Sequence, residues 1–237
     1  MKYPCRLDKY LSKAMSISRS DAKKLIKNKR VTIDLQLKVQ AQQTLYAEQQ
    51  VHLDGQPLSL ISQHYFMLHK PTGYLSTAAE AGHPSALSLI TTAAPVPLHA
   101  AGRLDLDTSG LLLLTTDGQW SHRVTSPNSG KYKAYRVQLA ESLSLQDLEQ
   151  LRQGILLRGE DKLTKPALVE PLSATEVDLQ ITEGRYHQVK RMFAALGNKV
   201  LGLHRWQVGQ IKLDEQLAPG EYRTLTPQEI ASFEQAK

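Results

Sequence analysis

The run Leu111-Leu112-Leu113-Leu114-Thr115-Thr116 limits most strongly what this chain can fold into. Four consecutive leucines leave no polar face, so the segment reads as a strand buried on both sides, bounded by Gly110 behind and an Asp117-Gly118 turn ahead. Just before it, Arg103, Asp105 and Asp107 alternate with Leu104 and Leu106. An extended backbone there puts three charges on one side, toward a cleft, and two leucines on the other, toward a core. A rigid strand thus delivers an acidic loop, which is where functional side chains tend to be carried. Spacing alone leaves three readings open: a surface hairpin with ordinary turn chemistry at Asp107-Thr108-Ser109-Gly110, a catalytic loop, or a divalent-metal site on Asp105 and Asp107. The metal reading is short of ligands, because hard cations take more oxygens and no further carboxylate cluster lies close in sequence.

The rest of the chain bounds the setting. Its 237 residues suit one large domain or a small one plus a medium one. Cys5 is the single cysteine, which excludes an intrachain disulfide and fits a reducing cytoplasm. Lys2, Lys9 and Lys13 interrupt the N-terminus, and no apolar run approaches the ~20 residues of a spanning helix, so a soluble cytoplasmic protein without membrane contact is expected. Net charge is +6, but residues 1–30 hold seven lysines and three arginines against Asp8 and Asp21, a balance of +8 that leaves −2 for the other 207 residues. A basic module on a near-neutral body is the footprint of a polyanion binder, with RNA or DNA leading.

Within that module, Leu7, Tyr10 and Leu11 recur at helical spacing. Ser18 can cap a second helix, with Asp21 at the capping-box position. Ala22, Leu25 and Ile26 form its apolar side, while Arg19, Lys23 and Lys27 form one basic stripe with Lys24 beside it. Val31-Thr32-Ile33 is extended, and Val39, Val51 and Leu53 mark further short strands ending at Asp54-Gly55. The segments Arg6-Leu7-Asp8-Lys9-Tyr10-Leu11, Ser18-Arg19-Ser20-Asp21-Ala22 and Val31-Thr32-Ile33-Asp34 resemble the S4 RNA-binding domain. That resemblance implies a grip on structured RNA through the second helix, with Arg6, Arg19, Lys23, Lys24, Lys27 and Arg30 as the contacting cations. Asn28-Lys29-Arg30 stands where the family usually has glycine, and Asp34-Leu35-Gln36 replaces its Asn-Gly or Asp-Gly turn, so an altered turn is expected on an unchanged fold.

Gln56 to Gln63 lacks a pattern and contains Pro57, which places the S4-like domain at residues 1–58, a linker at 59–63 and a second domain at 64–237. His64 to His69 reads as a strand and Lys70-Pro71-Thr72-Gly73-Tyr74 as its turn. Ser85 caps a short helix, and Pro95 and Pro97 break the chain. Trp120 to Val124 suits a helix ended by Ser126-Pro127-Asn128. Tyr135, Val137 and Leu139 alternate as a half-buried strand, as do Val177, Leu179 and Ile181. Ser144 opens a capped helix that Gly154 closes, and Thr226-Pro227 starts another. Val189, Met192, Phe193 and Leu196 share one helical face ended by Gly197, leaving Lys190 and Arg191 off it. The result is an α+β protein: a small N-terminal S4-like domain followed by a mixed, mainly antiparallel sheet domain.

Gly102-Arg103-Leu104-Asp105-Leu106-Asp107-Thr108-Ser109-Gly110-Leu111 resembles the central motif of the pseudouridine synthases. Lys70 to Tyr74, Lys133-Ala134-Tyr135 and Glu183 to Met192 resemble three further motifs of that family, in the same order along the chain. Within it, Gly118 to Arg123, Leu163 to Ala167 and Arg185 to Ala195 are most similar to the branch acting on small-subunit ribosomal RNA. The resemblance implies isomerisation of one uridine of 16S RNA, the position usually numbered 516, free or in a partly assembled subunit. Such an isomerisation involves no net redox and no group transfer, so no cofactor or metal is expected, and a monomer is expected. Asp105 takes the role of the catalytic carboxylate, ionised at neutral pH since aspartate's ordinary pKa is about 3.9. Tyr135 packs against the flipped base and assists proton removal from C5. Lys190 keeps Asp105 charged where many relatives have arginine, with Arg103 and Arg191 as alternative partners. Lys70, Arg103, Arg185 and Arg191 are expected to contact RNA, and Asp107 to hold the turn through Thr108 and Ser109. The competing readings are a synthase acting on large-subunit RNA or tRNA, and a non-catalytic RNA-binding or ribosome-assembly protein.

Overall fold

A computed structural model describes residues 3–15, 17–59, 63–80, 82–92, 97–126 and 130–234, divided into two compact units, Met1–Ser62 and Gln63–Lys237. In the first unit the order is β1 (Cys5–Arg6), α1 (Leu7–Ala14), α2 (Arg19–Lys27), β2 (Val31–Ile33), β3 (Thr44–Leu45), β4 (Val51–Leu53) and β5 (Gln56–Pro57). Ser18 accepts a hydrogen bond from the Asp21 amide and starts α2. Leu7, Leu11, Ala22, Ile26, Val31 and Val51 close the core between the helices and the small sheets.

Lys29, Asp34 and Leu35 all take positive φ, at 56°, 48° and 68°. They supply the left-handed backbone for which glycine is the usual choice. The turn after β2 is nonetheless a tight two-residue one, with the Gln36 amide donating to the Ile33 carbonyl at 2.8 Å. Asp34 anchors it by accepting from the Gln50 amide at 2.8 Å and the Gln49 side chain at 3.1 Å. Two expectations need correction: Val39 lies outside any strand, and Gln56–Pro57, within the expected first domain, is a short strand paired with β4 although it shows no pattern of its own. Residues 60–62 of the expected linker, the break at Pro95 and the helix end at Pro127-Asn128 fall outside the described residues.

The second unit runs β6 (Tyr65–Lys70), a 3₁₀ turn (Ala86–Leu89), β7 (His99–Ala100), β8 (Ser109–Thr115), α3 (Gly118–Thr125), β9 (Lys133–Leu139), α4 (Leu145–Gln153), β10 (Leu168–Pro171), β11 (Glu176–Ile181), α5 (Gln188–Ala195), β12 (Val200–Val208), β13 (Ile211–Lys212), β14 (Tyr222–Thr224) and α6 (Pro227–Ala231). The main sheet has the order β10-β11-β9-β12-β8-β6-β14, with β7 beside β8 and β13 beside β12. The β12–β8 pairing is parallel and the other described pairings in this sheet are antiparallel.

The leucines of β8 explain its position. Leu112 and Leu114 enter one core with Leu68, Val137 and Phe193, while Leu111 and Leu113 enter a second with Met67, Trp120 and Phe233. A strand feeding two cores needs apolar residues at successive positions, because side chains alternate between faces. Asp117-Gly118 is not a turn: Asp117 caps α3 by accepting from the Gln119 and Trp120 amides. Among the described residues, no helix is long and apolar enough to cross a membrane.

Candidate active site

The loop before β8 is held almost entirely through its carbonyls. The Lys70 ammonium donates to the carbonyls of Pro71, Asp105 and Thr108 at 3.0, 3.2 and 2.8 Å. The Arg205 guanidinium donates to Leu111 at 3.0 and 2.8 Å and to Arg103 at 3.2 Å. Ser76 takes the Leu104 carbonyl at 2.8 Å, and the Gly73 amide takes that of Leu106 at 2.8 Å. Lys70 and Arg205 are buried and sit in register on either side of Gly110, Lys70 on β6 and Arg205 on β12. Two buried cations are tolerable there because each meets several oriented carbonyl dipoles. Burial pushes the Lys70 ammonium down to about 8, with Asp107 and Asp105 acting in the opposite direction.

The backbone so held is a loop with a turn at Leu106-Asp107, not the fully extended segment expected. Leu104 points into the core, while Leu106 lines the cleft with Asp105. The cleft has a volume of about 790 Å³, and Arg103, Asp105, Lys133, Tyr135, Lys190 and Arg205 are among the residues lining it. Tyr135 reaches it from β9 and Lys190 from the first turn of α5. Lys190 Nζ donates to Asp105 Oδ2 at 3.0 Å and to Asp107 Oδ1 at 2.5 Å.

Burial works against the Lys190 ammonium, but hydrogen bonds to Asp107 and Asp105 outweigh it and hold its pKa above that of ordinary lysine. Burial likewise opposes the Asp107 carboxylate, and Lys190 brings its pKa below the usual range. The cation at the start of α5 opposes the helix dipole, so the two carboxylates facing it complete the electrostatics of that helix end.

The structure brings together Asp105, Tyr135, Arg103 and Lys190, and it relocates several other expected residues. Lys70 is fully buried beneath the loop, where it cannot reach RNA. Arg191 faces Glu160, at 2.7 Å, rather than Asp105. Arg185 is occupied by Glu160, by Glu183 and by the carbonyls of Lys162 and Leu163 at 2.9 and 2.6 Å. Asp107 shares Lys190 instead of bonding through Thr108 and Ser109, whose hydroxyl meets His204 Nδ1 at 2.9 Å.

His187 and Arg205 were not singled out from sequence. His187, at φ 46°, stands with Nε2 3.6 Å from Asp105 Oδ1 and stacks on the exposed Tyr186 ring at 3.8 Å. Only its position three residues before Lys190 could have pointed to it.

The basic face of the first unit is also more selective than its composition suggested. Arg6 and Arg19 both hold the fully buried Asp8, at 2.9 Å each, while Lys24 pairs with Asp21 and Arg30 with Asp54. Among the described residues the side chains of Lys23 and Lys27 have neither a hydrogen bond nor an ion pair, and both residues are exposed. These two therefore offer the α2 charge open to a phosphate. Changing both to alanine should lower the slope of log affinity for RNA against log salt by about 1.4 to 1.8, at 0.7 to 0.9 per phosphate contact. Salt titrations of RNA binding check this, and an unchanged slope would remove the two lysines from the interface.

The model of the RNA pseudouridylate synthase family matches residues 64–195, and that of the S4 domain residues 5–36. The chain is 49% identical over 228 residues to the ribosomal small subunit pseudouridine synthase A of Yersinia pestis, covering 96% of this chain and 97% of that one. It is 50% identical to the protein of the same name from Vibrio cholerae, covering 96% and 99%. A crystal structure of a pseudouridylate synthase superposes with a TM-score of 0.70 at 44% identity, covering 96% of this chain and 99% of the other.

Proposed function

The chain belongs to the RNA pseudouridylate synthase family and is a pseudouridine synthase with an S4 domain, and from that premise we propose that it isomerises a single uridine of 16S ribosomal RNA. The relatives' shared name supports the small subunit as the source of the substrate. The position usually numbered 516 in that RNA is the target we assign. The reading includes a monomer working in the cytoplasm, on free RNA or on a partly assembled subunit.

One observation carries the chemistry: the Asp105 carboxylate lines the same cleft as Tyr135 and is hydrogen-bonded to Lys190 at 3.0 Å. Converting uridine to pseudouridine breaks N1–C1′ and forms C5–C1′, with no net redox change and no group transferred. A positioned carboxylate is a fitting initiator, and the hydrogen bond from Lys190 fixes its orientation in the cleft. The uridine has to leave its stack to meet Asp105, at a cost of a few kcal/mol that is least in a loop or bulge. Tyr135, largely buried on β9, supplies an aromatic wall for the base, and Arg103, exposed at the cleft, can hold the opened strand.

The test is to incubate the purified chain separately with small-subunit RNA, large-subunit RNA and tRNA, then map pseudouridine at nucleotide resolution. The expected result is one modified position, in the small-subunit RNA. Modification confined to large-subunit RNA or tRNA would overturn the substrate, and none in any RNA would leave only a binding role.

A further inference from the structure

Lys133 precedes Tyr135 by two residues on β9, so both side chains leave the same face of the strand, about 6.7 Å apart along it. Both line the cleft. Lys190 is occupied by two carboxylates there, and Arg205 and Arg185 by carbonyls and acids. Among the described residues the half-buried Lys133 ammonium has neither a hydrogen-bond nor an ion-pair partner. Glu183, the acid whose charge acts on it, is already committed: Oε1 accepts from the Lys165 amide and the Gln188 side chain at 2.9 Å each, and Oε2 accepts from Arg185 at 3.4 Å. Burial depresses the Lys133 pKa, with Arg205 adding to that effect, Glu183 opposing it and Lys165 adding further. An unpartnered cation partly stripped of water, in the wall of a cleft, lacks a ligand.

We propose that Lys133 is a catalytic residue that donates a hydrogen bond to a carbonyl oxygen of the uracil and carries the negative charge the base acquires while detached. The proposal rests on the reading of Asp105 as the group that starts the reaction. When N1–C1′ breaks, its electron pair stays on the uracil and spreads to O2 and O4. After the base turns, C5 supplies the pair for the C5–C1′ bond and loses its proton, N1 gains one, and no atom enters or leaves overall. A fixed ammonium at one of those oxygens strengthens its interaction as the charge forms, so its benefit falls on the chemical step rather than on binding. The position beside Tyr135 puts Lys133 at the level of the base, which favours a base carbonyl over a backbone phosphate.

The experiment compares wild type with Lys133→Met, Lys133→Gln and Lys133→Arg in the full chain, on small-subunit RNA, after thermal unfolding has identified the folded variants. Methionine and glutamine should each lower kcat roughly 10²-fold, with KM and RNA affinity kept within about threefold of wild type. Arginine should recover about tenfold of that loss. A loss confined to KM and affinity would make Lys133 a phosphate contact and overturn the proposal, as would unchanged kinetics in a folded variant. A wild-type chain inactive on every RNA would overturn the parent reading and this inference together.

Discussion

Asp105→Asn is expected to abolish pseudouridine formation, lowering turnover on small-subunit RNA by at least about 10⁴-fold, the scale on which loss of a principal catalytic group is felt. Asparagine keeps the shape of the side chain but brings neither its negative charge nor its nucleophilic oxygen. The fold should tolerate the change, because Lys190 retains Asp107 as a partner at 2.5 Å. The backbone of the loop is also fixed independently of the carboxylate, through the Lys70, Ser76, Gly73 and Arg205 contacts to its carbonyls. RNA affinity should therefore stay close to that of wild type. Single-turnover assays alongside equilibrium binding check both halves, and retained turnover would remove Asp105 from the chemistry.

Gly110→Ala should cost more than about 4 kcal/mol of stability, at the far end of single substitutions. Gly110 has φ +106°, and a β-carbon there would lie 2.2 Å from the Arg205 carbonyl oxygen and 2.8 Å from its amide nitrogen. Neither neighbour is a side-chain end that can swing aside; both belong to the backbone of β12, which pairs with this residue. Relief requires parting β8 from β12, which loosens the Arg205 clamp and the loop carrying Asp105. Thermal unfolding should show the midpoint fall by about 10 °C or more. Gly118→Ala is the control: it has open space around it and an ordinary φ, and should change stability by less than about 1 kcal/mol. Equal effects at both positions would refute the steric account.

Elements set by local chemistry are legible in the sequence. The Leu111–Leu114 run, the Ser18 cap and the capping boxes at Ser144 and Thr226 each specify their element within a few residues, and the structure has them. Strand β12 is not legible in the sequence, because Arg205 and His204 sit in its middle and charged or titratable residues ordinarily face water. What makes Arg205 admissible inside is a set of carbonyls about a hundred residues away, which no window on the sequence contains. The burial of Lys70 is hidden for the same reason, since two of the carbonyls it meets belong to Asp105 and Thr108. Spacing could not separate Asp105 from Asp107 either, and the family motifs, not periodicity, connected Asp105 with Tyr135 and Lys190. The shared Lys190 distinguishes the two carboxylates by environment, with Asp105 partly enclosed and Asp107 at 70% exposure.

The parallel pairing of β12 with β8 sets an order of events during synthesis. His204 and Arg205 meet Ser109 and Gly110 across nearly a hundred residues of intervening chain, so the contact closes a long loop and forms slowly. A nascent chain that has emerged only as far as α5 already holds Asp105, Tyr135 and Lys190 but has no neighbour for that side of β8. The S4 unit, built from contacts within its own short span, is complete long before then. A growing polypeptide would accordingly acquire its RNA-binding module first and its reaction centre only after residue 205 has been added.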